Sequence, residues 1–163
     1  ELKKKKIELV CLAGFMKILS KNFIKKFEGK IINIHPSLLP KYKGLNTHRR
    51  VLINSEKYSG CTVHYVNSGL DSGKIILQKK VKVFKNDTVK KLSQRILKQE
   101  HYLYPNSFQY ISQFMFKNSA HEYDNIRVSC YIFDEDTKKM HNFGDNLSVI
   151  VQSGIAGEWI ENR

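Results

Sequence analysis

The sequence predicts an α/β fold, with parallel strands plus an antiparallel pair, flanked by helices and followed by an unassigned, β-rich tail. Three observations predict it. Residues 7–13 (IELVCLA) form a near-continuous apolar run of strand length, the pattern of a strand buried on both faces of a parallel sheet, and 30–35 (KIINIH) form a β-branched apolar run that carries Asn33 and His35 out to its end. A capped amphipathic segment separates them, and strand, helix, strand at this spacing implies parallel strands with a right-handed crossover. Finally, residues 61–66 (CTVHYV) and 74–83 read as two strands joined by one short turn-rich loop, which makes them antiparallel to each other.

Taken in order, Gly14 ends the first strand and residues 15–19 follow as an apolar loop. Ser20 suits an N-cap for a short helix whose apolar face is Phe23, Ile24 and Phe27, and Gly29 closes it. Pro36 stops the second strand, because proline donates no amide and fixes its own φ. A polar loop after Pro40 leads to a helix over about residues 47–55. Asp87 suits the cap of a long amphipathic helix over 88–101, which Pro105 interrupts before a further helix over 106–115. Beyond residue 117 the pattern changes to two strand-like runs, 128–133 and 147–151, between polar turns. The chain therefore divides into 1–116 and an extension, 117–163, of unknown fold.

Lys and Arg number 28 against 15 Asp and Glu, a net charge of +13 that invites a polyanionic ligand. The lysines are scattered and not interleaved with aromatic residues as a single-strand binder needs, so no nucleic acid is expected. A phosphorylated or polycarboxylated small molecule is the other candidate, and a lysine-biased composition spread over solvated faces is the favoured reading. Apolar runs are too short to span a membrane, and no leader pattern opens the chain. Cys11, Cys61 and Cys130 form no C-x-x-C pair, which reads as three reduced thiols of a cytoplasmic protein with no metal site. Opening at Glu1 on a strand, the chain reads as a part of something longer.

Chemistry concentrates at the end of the second strand. Side chains alternate along a strand, so Asn33 and His35 share a face, and open α/β sheets carry their sites at the carboxyl ends of strands. An imidazole can take and give a proton near neutral pH when a partner sets its tautomer. The loop SGLDSG places Asp71 between glycines, where a carboxylate could reach His35 and favour its protonated form. Asn33 can donate to an oxygen that gains negative charge. A capped strand end and a turn aspartate remain the plain alternative. His64 on a strand reads first as a core histidine, and His48 as capping or lining its loop. No phosphate-cradling glycine motif is present.

The segments LAGFMKILS (12–20), INIHPSLLPKYKGLNTH (32–48), TVHYV and LDSG (62–73), ILQ (76–78) and KQEHYLYP (98–105) together resemble the phosphoribosylglycinamide formyltransferases, in order and at matching spacing up to about residue 115. The resemblance implies a partial Rossmann-like formyltransferase domain in residues 1–116. It implies transfer of a formyl group from 10-formyltetrahydrofolate to the amine of glycinamide ribonucleotide in purine synthesis, without a metal. Asn33, His35 and Asp71 fall on the catalytic positions, with His64 in support. Met16, Lys17, Ile18 and Leu19, together with Asn33, Asn67, Ser68, Gly69, Leu70 and Asp71, fall on the folate segments. Pro36, Leu97, Lys98, Gln99 and Glu100 fall on the substrate segment. The partners implied are these small molecules, with a homodimer left open. Lys17 and Asn46 depart from the usual arginine and histidine, and the family's first strand and glycine-rich phosphate loop would precede Glu1. An inactive truncated homologue, binding folate or pairing with another subunit, is the alternative.

Overall fold

The computed structural model describes residues 9–115, 128–134 and 139–142. Six strands, β1 (Leu9–Leu12), β2 (Ile31–His35), β3 (Tyr58–Tyr65), β4 (Ile75–Lys82), β5 (Val128–Asp134) and β6 (Lys139–Asn142), form one sheet in the order β4-β3-β2-β1-β5-β6. The helices are α1 (Lys21–Lys26), α2 (Thr47–Ile53) and α3 (Val89–Met115). The expected crossover is present: β1 and β2 run parallel through α1, and β3 and β4 are antiparallel. β5 lies parallel to β1, with β6 antiparallel beyond it. The run 128–133 thus falls on a strand, whereas 147–151 lies outside the described residues.

Alternation along β1 and β2 divides the core. Val10, Leu12 and Ile31 face α1, with Phe27 buried and Phe23 and Ile24 packed beside them. Cys11, Ile32 and Ile34 face the other way, onto α2 and α3 through Val51, Leu92, Ile96, Leu103 and Ile111. Ser20 caps α1 as expected, its Oγ accepting from the Phe23 amide at 3.2 Å, and Gly29 ends the turn at a φ of 71° that a side chain would resist.

Two expectations are corrected. Pro105 does not interrupt the last helix; α3 runs through it. Proline inside a helix costs about 3 kcal/mol, but the second half buries Phe108 and Ile111 on the sheet, each contributing about 1.5–3 kcal/mol. Two side chains also bond to carbonyls beside the proline: Asn106 Nδ2 donates to Tyr102 O at 2.6 Å and Ser107 Oγ to Tyr104 O at 2.5 Å. The cap of α3 is Thr88, whose Oγ1 accepts from the Lys91 amide at 3.2 Å. Asp87 instead pairs bidentately with Arg95, both contacts 2.7 Å, which holds its carboxyl below the usual range.

β3 begins three residues earlier than its sequence pattern suggests, running through Gly60. A Cβ there would sit 2.0 Å from Lys79 O. Glycine at this position is therefore a requirement of close strand approach and not a chain break.

Candidate active site

The carboxyl ends of β1 and β2 open into a cavity of 1760 Å³. The antiparallel register sets Asn33 opposite His64 and His35 opposite Thr62. Directly paired residues share a face, so backbone pairing brings Asn33 and His64 side by side. Asp71 arrives from the β3–β4 loop with a φ of 41°. Asn67 Oδ1 shapes that loop by accepting from Gly69 N (3.0 Å) and Ser72 Oγ (2.8 Å). Gly73 closes it where a Cβ would lie 1.7 Å from Tyr65 O.

Four side chains meet here. Asp71 Oδ2 lies 3.4 Å from His35 Nδ1, and its Oδ1 lies 3.8 Å from His64 Nε2. Asp71 Oδ2 also accepts from the Gly44 amide at 2.8 Å. His35 Nε2 donates to the Tyr42 carbonyl at 2.9 Å. Both nitrogens of His35 thus face acceptors, and only the doubly protonated ring can donate to both. His64 differs. Its Nδ1 donates to Tyr65 O at 2.8 Å, which leaves Nε2 of the neutral ring to accept from Asn33 Nδ2 at 3.4 Å. Burial lowers the pKa of His64 against the opposing pull of the Tyr65 carbonyl and Asp71. The site therefore holds two imidazoles in different environments around one carboxylate.

The turn that supplies Tyr42 and Gly44 is anchored by Thr62. Its Oγ1 donates to Ser37 O (2.6 Å) and accepts from Leu39 N (3.1 Å) and Gln78 Nε2 (2.9 Å). Tyr104, on α3, ties itself to β1 and β2, its hydroxyl donating to Leu12 O at 2.7 Å and lying 3.4 Å from Ile32 O. Sequence reasoning missed Tyr42, Gly44, Thr62 and Tyr104. Tyr42 and Gly44 act through their backbones, which leave no side-chain signature, and the other two depend on tertiary packing.

Of the remaining expected residues, 16–19, Pro36, 67–71, Leu97, Lys98 and Glu100 line the cavity, whereas Gln99 does not. Met16, Ile18 and Leu70 are exposed at its mouth, as is Leu45. Lys17 is exposed. Asn46 is exposed too and takes a left-handed φ of 56° at the entry to α2, a conformation asparagine tolerates well. Glu100 is buried, and burial pushes its carboxyl up to about 7. Among the described residues it has no hydrogen-bond or ion-pair partner, so a cation or a proton would stabilise it. Also among the described residues, no group of three His, Cys, Asp or Glu is placed to hold a metal ion. No described helix is long and apolar enough to cross a membrane.

The sequence model of the formyl transferase family matches residues 1–108. The chain is 52% identical over 106 residues to the trifunctional purine biosynthetic protein adenosine-3 of Gallus gallus, covering 65% of this chain and 11% of that protein. It is 50% identical over 98 residues to the phosphoribosylglycinamide formyltransferase of Escherichia coli, covering 60% and 46%. The crystal structure of phosphoribosylglycinamide formyltransferase from Anaplasma phagocytophilum superposes with a TM-score of 0.67 at 39% identity, covering 89% of this chain and 63% of that one. The chain thus spans about half the length of the E. coli relative.

Proposed function

The chain belongs to the formyl transferase family, and from that premise we propose that it carries the reaction centre of a phosphoribosylglycinamide formyltransferase. The reaction moves a formyl group from 10-formyltetrahydrofolate to the primary amine of glycinamide ribonucleotide, a step of cytoplasmic purine synthesis. Residues 1–116 form the catalytic portion and 117–163 an extension. The observation that carries the reading is the convergence of Asn33, His35, His64 and Asp71 at one end of a cavity.

In this reading the neutral amine attacks the formyl carbon, and the carbonyl electron pair moves to oxygen. Asn33 Nδ2, one of whose hydrogens faces His64, donates the other to that oxyanion. A preorganised donor at a developing charge contributes about 2.7–4 kcal/mol. Protonated His35, balanced by Asp71, exchanges its Nε2 bond to Tyr42 for the substrate and helps move a proton from the attacking amine to the departing folate nitrogen. The carbon–nitrogen bond to folate then breaks, leaving an N-formyl amide and tetrahydrofolate. His64, kept neutral, orients Asn33 by accepting from it.

Glu100 suits the amine end of the substrate, since an unpartnered buried carboxylate gains most from an N–H donor. The apolar mouth of Met16, Ile18, Leu45 and Leu70 suits a flat heterocycle such as the pterin, and the positive balance suits a phosphate and a glutamate tail.

The test is direct formyl transfer. Purified protein is given both substrates, and the formylated ribonucleotide is followed by mass spectrometry. Turnover is expected, falling at least about a hundredfold in His35→Ala. No product, even with the remaining length of a relative supplied in trans, would overturn the reading.

A further inference from the structure

A third imidazole borders the cavity. His48, in the first turn of α2, is half-buried and lines it together with His35 and Glu100. Its Nδ1 is out of solvent and has no hydrogen-bond partner among the described residues. A neutral imidazole has one N–H and one bare nitrogen, and a buried N–H without an acceptor is among the rarest of orphans, while an unsatisfied acceptor is better tolerated. The bare nitrogen is therefore Nδ1, and the proton sits on Nε2. A second proton would leave an N–H at Nδ1 with nothing to receive it. Burial and the field of His35 both oppose that charge.

The ring has one donor to offer, and among the described residues no group takes it. His48 and Glu100 line the same cavity, and α2, which carries the first, packs against α3, which carries the second. Lys90, Lys91 and Lys98 on that helix line the cavity too and are the better partners for a phosphate. A neutral donor is left to match an uncharged oxygen.

We infer that His48 is a substrate-binding residue: its Nε2–H donates one hydrogen bond to an uncharged acceptor oxygen, hydroxyl or amide carbonyl, of the phosphorylated sugar amide. This rests on the proposed substrate, and its place in the cavity that His35 also lines makes it a determinant of which amines are accepted. It carries no charge and moves no proton.

Two measurements test it. Nitrogen-15 and carbon-13 shifts of the His48 ring report the tautomer without any ligand. The Nε2–H form is expected from pH 6 to 8, and an Nδ1–H or charged ring in that range overturns the inference. Calorimetric titration with glycinamide ribonucleotide then compares three proteins. His48→Leu should bind about 3- to 10-fold more weakly, the worth of one neutral hydrogen bond, and His48→Gln, whose amide restores a donor at similar reach, should stay within about twofold of the parent. With both substrates present, the loss in His48→Leu should appear in KM with kcat nearly unchanged. Equal binding by His48→Leu and the parent, or a glutamine variant as weak as leucine, overturns the inference. No binding by the parent overturns the substrate reading and this assignment with it, whatever the tautomer.

Discussion

Replacing Glu100 by glutamine should remove part of the pH dependence of stability. The carboxyl is buried with no partner among the described residues, and its pKa rises from 4.5 unfolded to about 7 folded. Below about 4.5 both states are protonated and the group costs nothing. As pH rises the unfolded chain ionises first, while the folded chain still holds its proton. Stability therefore falls through this window, and the loss is complete above the folded pKa near 7. At 1.36 kcal/mol per pH unit the interval is worth about 3 kcal/mol. Glutamine keeps the shape and does not titrate. Urea unfolding followed by circular dichroism at pH 5, 6, 7 and 8 should show the parent losing about 2.5 kcal/mol relative to Glu100→Gln across the series. An amine ligand at the carboxylate should return part of that loss to the parent alone. A constant difference between the two proteins over the whole range would refute the reasoning, because it would mean the carboxyl is already paired or solvated.

Asp71→Ala should lower turnover about 10²- to 10⁴-fold and free the Gly44 amide, so steady-state kinetics should show the loss mainly in kcat. Thr62→Val should cost about 2–3 kcal/mol in chemical denaturation, since three hydrogen bonds meet at its hydroxyl and two of the partners stay buried. Pro105→Ala should raise Tm, with up to about 3 kcal/mol recovered from restored helix geometry, as thermal circular dichroism would report. Cys61, buried and with its thiol pushed up to about 12 by burial, should resist a thiol reagent at pH 8 until urea unfolds the protein.

Much of this arrangement is legible in the chain. Strand periodicity places Asn33 and His35 on one face, and the glycines around Asp71 mark a loop able to deliver a carboxylate; both are local properties. His64 is different. Taken alone it reads as a core histidine, and it is as buried as one; only the β2–β3 register reveals its neighbour. Tyr42 serves the site through its carbonyl, held at a φ of 56°, and side-chain reasoning is blind to it. The break expected at Pro105 failed because a local penalty was weighed without the apolar face beyond it. The cap went to Thr88 because Asp87 found a stronger partner in an arginine eight positions on.

The pairing of Asn33 with His64 gives the site a mechanical character of its own. Their separation is set by a single rung of a hydrogen-bonded ladder, whereas Asp71 and Tyr42 hang from turns. One half of the site has the stiffness of a sheet and the other that of loops. A slip of β3 by one residue would turn His64 to the opposite side and bring Val63 or Tyr65 to its place, so the ladder admits this histidine in one alignment only. Fine adjustment, in this protein or in a redesigned one, belongs to the turns, and the strands act as the fixed ruler against which they are set.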